Sequence, residues 1–139
     1  MTRKIRDIMT PLPVVMTPLE SVASAARLMR DDAIGTVLLL EDGVLYGIVT
    51  DRDIVVRGIA EGHDPETTRV GDICSEELVV LSPDEDVTEA MRVIRQCAVR
   101  RVPVVEHGVP VGVVSMGDLA LWQDEGSALA DVTAAPPNN

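Results

Sequence analysis

Two short patterns carry the residues best equipped for chemistry: Thr50-Asp51-Arg52-Asp53 and Ser115-Met116-Gly117-Asp118. Each sets a hydroxyl three residues ahead of a carboxylate. A carboxylate near the start of a helix is able to accept both hydroxyls of a ribose, and the Ser or Thr hydroxyl can meet a phosphate or sugar oxygen. The free amides and partial positive charge of a helix N-terminus also suit a phosphate. Arg52, Arg100 and Arg101 are the nearest cations, and Arg101, just ahead of a strand, is the preferred phosphate ligand. Main-chain groups and apolar side chains near Val14–Val15 and Val79–Val80 are placed to line a slot for a flat base. The same spacing has a plainer reading. Ser/Thr-x-x-Asp resembles a capping box with Asp standing in at the third helical position. The two readings are compatible, because the hydroxyl can cap the helix while the carboxylate turns outward.

The elements that must hold these residues occur twice. Shifted by 65 residues, positions 8–54 lie over 73–119 without a gap, and 17 of the 47 pairs are identical, including Pro18/Pro83, Glu20/Glu85, Gly43/Gly108, Gly47/Gly112 and Asp53/Asp118. Each copy opens on a short β-rich stretch, VVM at 14–16 and VVL at 79–81. Thr17-Pro18-Leu19-Glu20 and Ser82-Pro83-Asp84-Glu85 then predict helix starts, with Thr or Ser as N-cap, Pro at N1 and Glu at N3. The first helix is expected to run to about Arg30 with Leu19, Val22, Ala25, Ala26 and Met29 on its apolar face. The second is expected to run to about Arg95, with Val87, Ala90, Met91 and Ile94 inside. Two apolar strands follow in each copy, turning at Asp42-Gly43 and at Gly108. Pro103 predicts an edge position or an unpaired amide in its strand. Further helices start at Thr50 and Ser115.

These patterns predict an α/β (α+β) fold of two pseudo-twofold related β-α-β-β-α units packed through their sheets. Residues 1–64 form the first with the start of a linker, 65–124 form the second, and 125–139 form a flexible tail. The polar segment 60–69 reads as the join between them.

Composition removes several classes of function. With 12 Lys plus Arg against 23 Asp plus Glu the net charge is −11, which disfavours a phosphate backbone as partner. Tyr46 and Trp122 are the only aromatic residues, too few for base-stacking platforms. No apolar run approaches the ~20 residues of a membrane span, and the first ten residues lack the apolar core of a signal peptide. A cytoplasmic protein is expected. Cys74 and Cys97 make no disulfide framework; Cys97 reads as packing at a helix end, and His63 and His107 read as solvated. No metal site and no catalytic residue is assigned: G-x-S-x-G, Walker A and H-E-x-x-H patterns are absent from the sequence. Pseudo-symmetry favours two equivalent binding sites over one asymmetric active site.

IRDIMT at 5–10, GIVTDRDI at 47–54, VRRVPVVEHGVPVGVVS at 99–115 and Asp118 resemble the CBS-domain family, and residues 5–122 look like a tandem CBS pair. Within the family the likeness is to small, stand-alone actinobacterial proteins of the hypoxic or dormancy response. The resemblance implies a regulatory, non-catalytic module, often a homodimer, that binds AMP, ADP, ATP, NAD or S-adenosylmethionine in clefts between its repeats. No cofactor is required. The family's ribose motif falls on Thr50/Asp53 and Ser115/Asp118, with Arg101, Val15 and Val80 completing the candidate set. Copy one departs from the family pattern in reading VLLL at 37–40 where copy two reads VPVV at 102–105, and Gly35-Thr36 where copy two has Arg100-Arg101. The two clefts therefore need not bind alike. The alternative function is a dimeric interaction platform with empty clefts. With no output domain expected in this chain, a ligand signal would pass to a partner protein, or the module would simply hold or buffer the ligand.

Overall fold

The computed structural model describes residues 3–76, 78–97 and 99–123. The tail expected at 125–139 lies outside these residues. In chain order the elements are β1 (Thr10–Pro11), β2 (Val15–Met16), α1 (Val22–Asp32), β3 (Thr36–Glu41), β4 (Val44–Thr50), α2 (Asp51–Asp53, continuing as a π-helical stretch over Ile54–Ile59), α3 (Val87–Cys97), β5 (Arg101–Glu106), β6 (Val109–Ser115) and α4 (Met116–Gln123). Single 3-10 turns stand at Ile5–Asp7 and Val70–Asp72. The architecture is mixed α+β, with a three-stranded sheet in each of two compact units.

Residues 14–78 make the first unit. Its sheet runs β2-β3-β4, with β2 parallel and β4 antiparallel to β3. Asp42 and Gly43, both at positive φ (53° and 79°), form the tight hairpin turn whose twist matches that of the strands. Val37, Leu39 and Val49 point from the sheet into a core shared with Val22, Ala25 and Met29 of α1. The helix starts one turn later than the sequence predicts. Ser21 is the N-cap, its hydroxyl accepting from the Ser24 amide at 3.0 Å, while Thr17–Glu20 form a separate turn in which the Thr17 amide donates to Glu20. Pro18 is buried and Leu19 is 69% exposed, so Leu19 leaves the apolar face assigned to it; Ala26 is exposed as well.

The stretch read as a join is partly built into this unit. The amides of Val22 and Ala23 donate to the carbonyls of Thr68 and Pro65, and Val70 is fully buried with its amide on Glu20 O at 2.7 Å. Ser75 then pairs with Ile48, crossing β4 at Gly47. A Cβ at Gly47 would stand 2.9 Å from both Cys74 Sγ and Ser75 O, so only glycine allows that approach.

The second unit repeats this plan from two separate pieces of chain, residues 3–13 and residues 79–123. Its sheet runs β1-β6-β5. Ile5 takes the place of Val70: its amide donates to Glu85 O at 2.9 Å, and its side chain is fully buried among Val87, Ala90, Ile94, Val102 and Val114. β1 pairs with β6 as Ser75 pairs with Ile48, and a Cβ at Gly112 would meet Met9 Sδ at 2.6 Å and Thr10 O at 2.8 Å. The sequence repeat and the compact unit thus divide the chain at different points, since the arm that opens each sequence copy is seated in the unit built from the other. Trp122 packs against this core.

Because the arm fills the second core, Ile5→Ala is expected to cost roughly 2–5 kcal/mol of stability, and Gly112→Ala about 1–3 kcal/mol. Urea denaturation measures both; a loss below ~0.5 kcal/mol for Ile5→Ala would contradict this architecture.

Candidate functional site

Each Ser/Thr-x-x-Asp motif lies where the last strand of a hairpin meets a helix. In the first unit the Thr50 amide donates to Asp53 Oδ2 at 2.9 Å and the Asp53 amide donates to Thr50 Oγ1 at 3.2 Å. In the second unit the Ser115 amide donates to Asp118 Oδ2 at 2.9 Å and the Asp118 amide donates to Ser115 Oγ at 3.2 Å. Both are complete capping boxes, so the plainer reading of the motif holds. It leaves something over. Each box uses Oδ2 alone, and among the described residues no hydrogen bond reaches Oδ1 of either aspartate. The carboxylates are half-buried and held in one orientation, and at Asp53 the second oxygen stands in an ion pair with Arg57.

Register then gathers the remaining candidates. Residues that pair across strands share a face, and alternate residues return to it. In the second unit Arg101 faces Ser115 directly, and Val80 adjoins Leu81, which bridges Val104. Val102 and Val104 enter the core, so Arg101 and Pro103 lie on the opposite sheet face. In the first unit Thr36 faces Thr50 and Val15 faces Leu38, on the face turned away from Val37 and Leu39. Val15 is 43% exposed and Val80 46%, against 6% and 2% for the neighbouring Met16 and Leu81. Both valines therefore stand outside the cores and are free to touch something else. Arg101 is half-buried, whereas Arg52 and Arg100 are exposed.

The sequence reading missed two residues. Arg57 sits four positions after Asp53, with Nε 3.9 Å from Asp53 Oδ1 and Nη1 donating to Cys74 O at 3.1 Å. The i,i+4 spacing of opposite charges on one helix was the available signal. At the matching place the second unit has Trp122. Thr36 was noted only as a departure from the family; its Oγ1 is buried without a hydrogen-bond partner. Arg52, named among the nearest cations for a phosphate, is exposed with its amide on Asp51 Oδ1, and the cation beside Asp53 is Arg57.

His63 and His107 are exposed. Among the described residues no group of three or more His, Cys, Asp or Glu is placed to hold a metal ion. Cys97, expected to pack, is exposed, because it lies at the end of α3 beyond the last buried turn at Ile94. Cys74 is buried; burial, with lesser contributions from the charges of Glu76 and Asp53, pushes its thiol above the ordinary range. Among the described residues no helix is long and apolar enough to cross a membrane.

The family model for the CBS domain matches residues 5–58 and again 70–125. The chain belongs to the CBS-domain family. CBS pairs serve as regulatory ligand-binding modules. This pair is 36% identical over 133 residues to the CBS domain-containing protein YhcV of Bacillus subtilis, covering 93% of this chain and 94% of that one. It is 34% identical over 116 residues to hypoxic response protein 1 of Mycobacterium tuberculosis, covering 83% and 81%. Among solved structures, a hypoxic response protein I carrying two coordinated zinc ions superposes with a TM-score of 0.76 at 34% identity, covering 85% of this chain and 97% of that one. The CBS pair of MJ0100, solved with 5′-methylthioadenosine and S-adenosylmethionine, shares the fold at 22% identity and a TM-score of 0.79, over 88% and 97% of the two chains.

Two outcomes follow for this CBS pair without any ligand. Thr50→Ala and Ser115→Ala should each lower stability by about 0.5–2 kcal/mol in urea denaturation, the usual loss for an N-cap hydroxyl. Alkylation with iodoacetamide at pH 8, mapped by peptide mass, should label Cys97 within minutes and Cys74 only in denaturant; equal labelling in the folded protein would contradict the burial of Cys74.

Proposed function

We propose that this CBS pair is a non-catalytic sensor of an adenosine-containing ligand, of the AMP, ADP, ATP, NAD or S-adenosylmethionine class. The observation that carries the reading is an Oδ1 that accepts no hydrogen bond among the described residues, on a carboxylate already fixed by a capping box, at Asp118 and, beside the Arg57 guanidinium, at Asp53. A ribose diol needs an acceptor that does not have to be ordered on binding, and each box supplies one. On the same sheet face as Ser115, Arg101 is the cation for a phosphate, and Val15 and Val80 offer apolar contact to a base. The MJ0100 pair, with two adenosine derivatives bound, supports this ligand class.

The output is a conformational or assembly state that a partner protein reads. A second copy of the chain is the proposed partner for the apolar face formed by Val55 (58% exposed), Val56 (44%) and Ile59 (55%). The free thiols of Cys74 and Cys97 fit a reducing cytoplasm.

The test is the melting temperature with each of AMP, ATP, NAD and S-adenosylmethionine at millimolar concentration. At least one should raise it, by about 3–5 °C per kcal/mol of linkage. The rise should vanish in the Asp53→Ala, Asp118→Ala double variant. No rise with any of the four would favour the alternative, a dimeric interaction platform with unfilled sites.

A further inference from the structure

Among the described residues four other than glycine stand at positive φ: Leu12, Ala33, Asp42 and His107. Ala33 closes α1 with its amide on Met29 O, and Asp42 and His107 lie in the two hairpin turns. Leu12 has no such role. It is 89% exposed, so no burial offsets its φ of 55°, and among the described residues no hydrogen bond holds it. A bulky side chain is disfavoured in the left-handed region. Pro13 sharpens the conflict, because a residue that precedes proline prefers extended backbone. Pro11, on the other side, has its φ fixed at a value that suits an extended chain. Local preference in Pro11-Leu12-Pro13 is therefore for an open hinge, and the fold holds it bent. The matching residues of the second copy, 76–78, include no proline.

This bend is the one covalent link between residues 3–11 and residues 14–123. Residues 3–11 are an arm seated in the second unit, and from Val14 the chain belongs to the first. The arm's contacts are many and specific. The Ile5 amide donates to Glu85 O at 2.9 Å, the Arg6 amide to Pro83 O at 3.0 Å, and the Val87 amide to Arg3 O at 2.9 Å. Arg6 pairs with Asp84, Ile5 is fully buried, and Thr10–Pro11 adds an edge strand to β6. None of these contacts requires the arm and its socket to belong to the same chain.

We propose that the arm is exchanged between two copies of this chain. With Pro11-Leu12-Pro13 extended, residues 3–11 of each copy fill the second unit of the other, and the product is a reciprocally swapped dimer. A second copy is the partner because the socket matches this arm and nothing more general: an apolar hole filled by Ile5, an aspartate facing Arg6, and a glycine, Gly112, where Met9 and Thr10 cross. The closed and swapped forms make the same arm contacts. Their balance is set by the relief of two bent hinges against the freedom lost on pairing. The swap is independent of the ligand reading and of any dimer formed through the Val55–Ile59 face.

A cross-link reads whose arm fills the socket. Thr10 and Val113 are direct partners across the antiparallel β1–β6 pair, a spacing that a disulfide can span. Thr10→Cys with Val113→Cys, in a Cys97→Ser background, is unfolded in urea, refolded at micromolar or at submillimolar concentration, and oxidised. On a non-reducing gel a closed arm gives a cross-linked monomer and a swapped arm gives a covalent dimer. Dimers that only pack through their surfaces run as the monomer. The covalent dimer should grow with the protein concentration at refolding. Leu12→Gly removes the penalty from the bent hinge and should lower the association constant about tenfold or more, and Pro13→Ala should act in the same direction. Lys4→Cys with Asp86→Cys, joined by an antiparallel bridge, is the second pair and should give the same bands. Cross-linked monomer alone at the higher concentration, or a dimer fraction unmoved by Leu12→Gly, overturns the swap.

Discussion

The reciprocal hydrogen bonds between Ser115 and Asp118, copied between Thr50 and Asp53, are the constraint on which the site depends. They bind each carboxylate to the first turn of its helix through one oxygen and leave the other outside the box, facing Arg57 in the first unit. The cap and the ligand contact are therefore not competitors. In the proposed site the cap supplies the order that a sugar contact would otherwise have to create on binding, so the two readings of the motif are compatible.

Everything else in each unit holds that turn where it is. The hairpin sets Arg101 across from Ser115 and Thr36 across from Thr50. The arm from the other copy, anchored by Ile5 in one unit and Val70 in the other, seals the core and crosses the last strand at a glycine, Gly112 or Gly47. The copies diverge around the motif and on its sheet face, with Arg57 against Trp122, Thr36 against Arg101 and Leu38 against Pro103. Duplication preserved the scaffold and left the two sites chemically distinct.

Much of this was legible in the residues. Ungapped repetition gave the duplicated plan, Gly43 and Gly108 marked turns that the structure places at positive φ, and the buried set of α3 matched its helical spacing. Helix starts were misread because Thr17-Pro18-Leu19-Glu20 satisfies the same local hydrogen bond whether or not a helix follows; Ser21 only becomes the cap once Val22 is pulled into the core. The exchange of arms was illegible for a different reason. Ile5 and Val70 are equivalent in sequence, and local pattern says nothing about which of two like cores each one enters. Arg57 was open to discovery from its spacing to Asp53.

The central claim is that the free oxygen of the motif aspartate accepts a ribose diol. It is tested most directly by comparing the affinities of AMP and its 2′,3′-dideoxy analogue by calorimetry on the wild-type protein. The account predicts that AMP binds and that removing the two hydroxyls weakens binding by more than about tenfold, as loss of hydrogen bonds to a charged group requires. Equal affinity for the two compounds would contradict it.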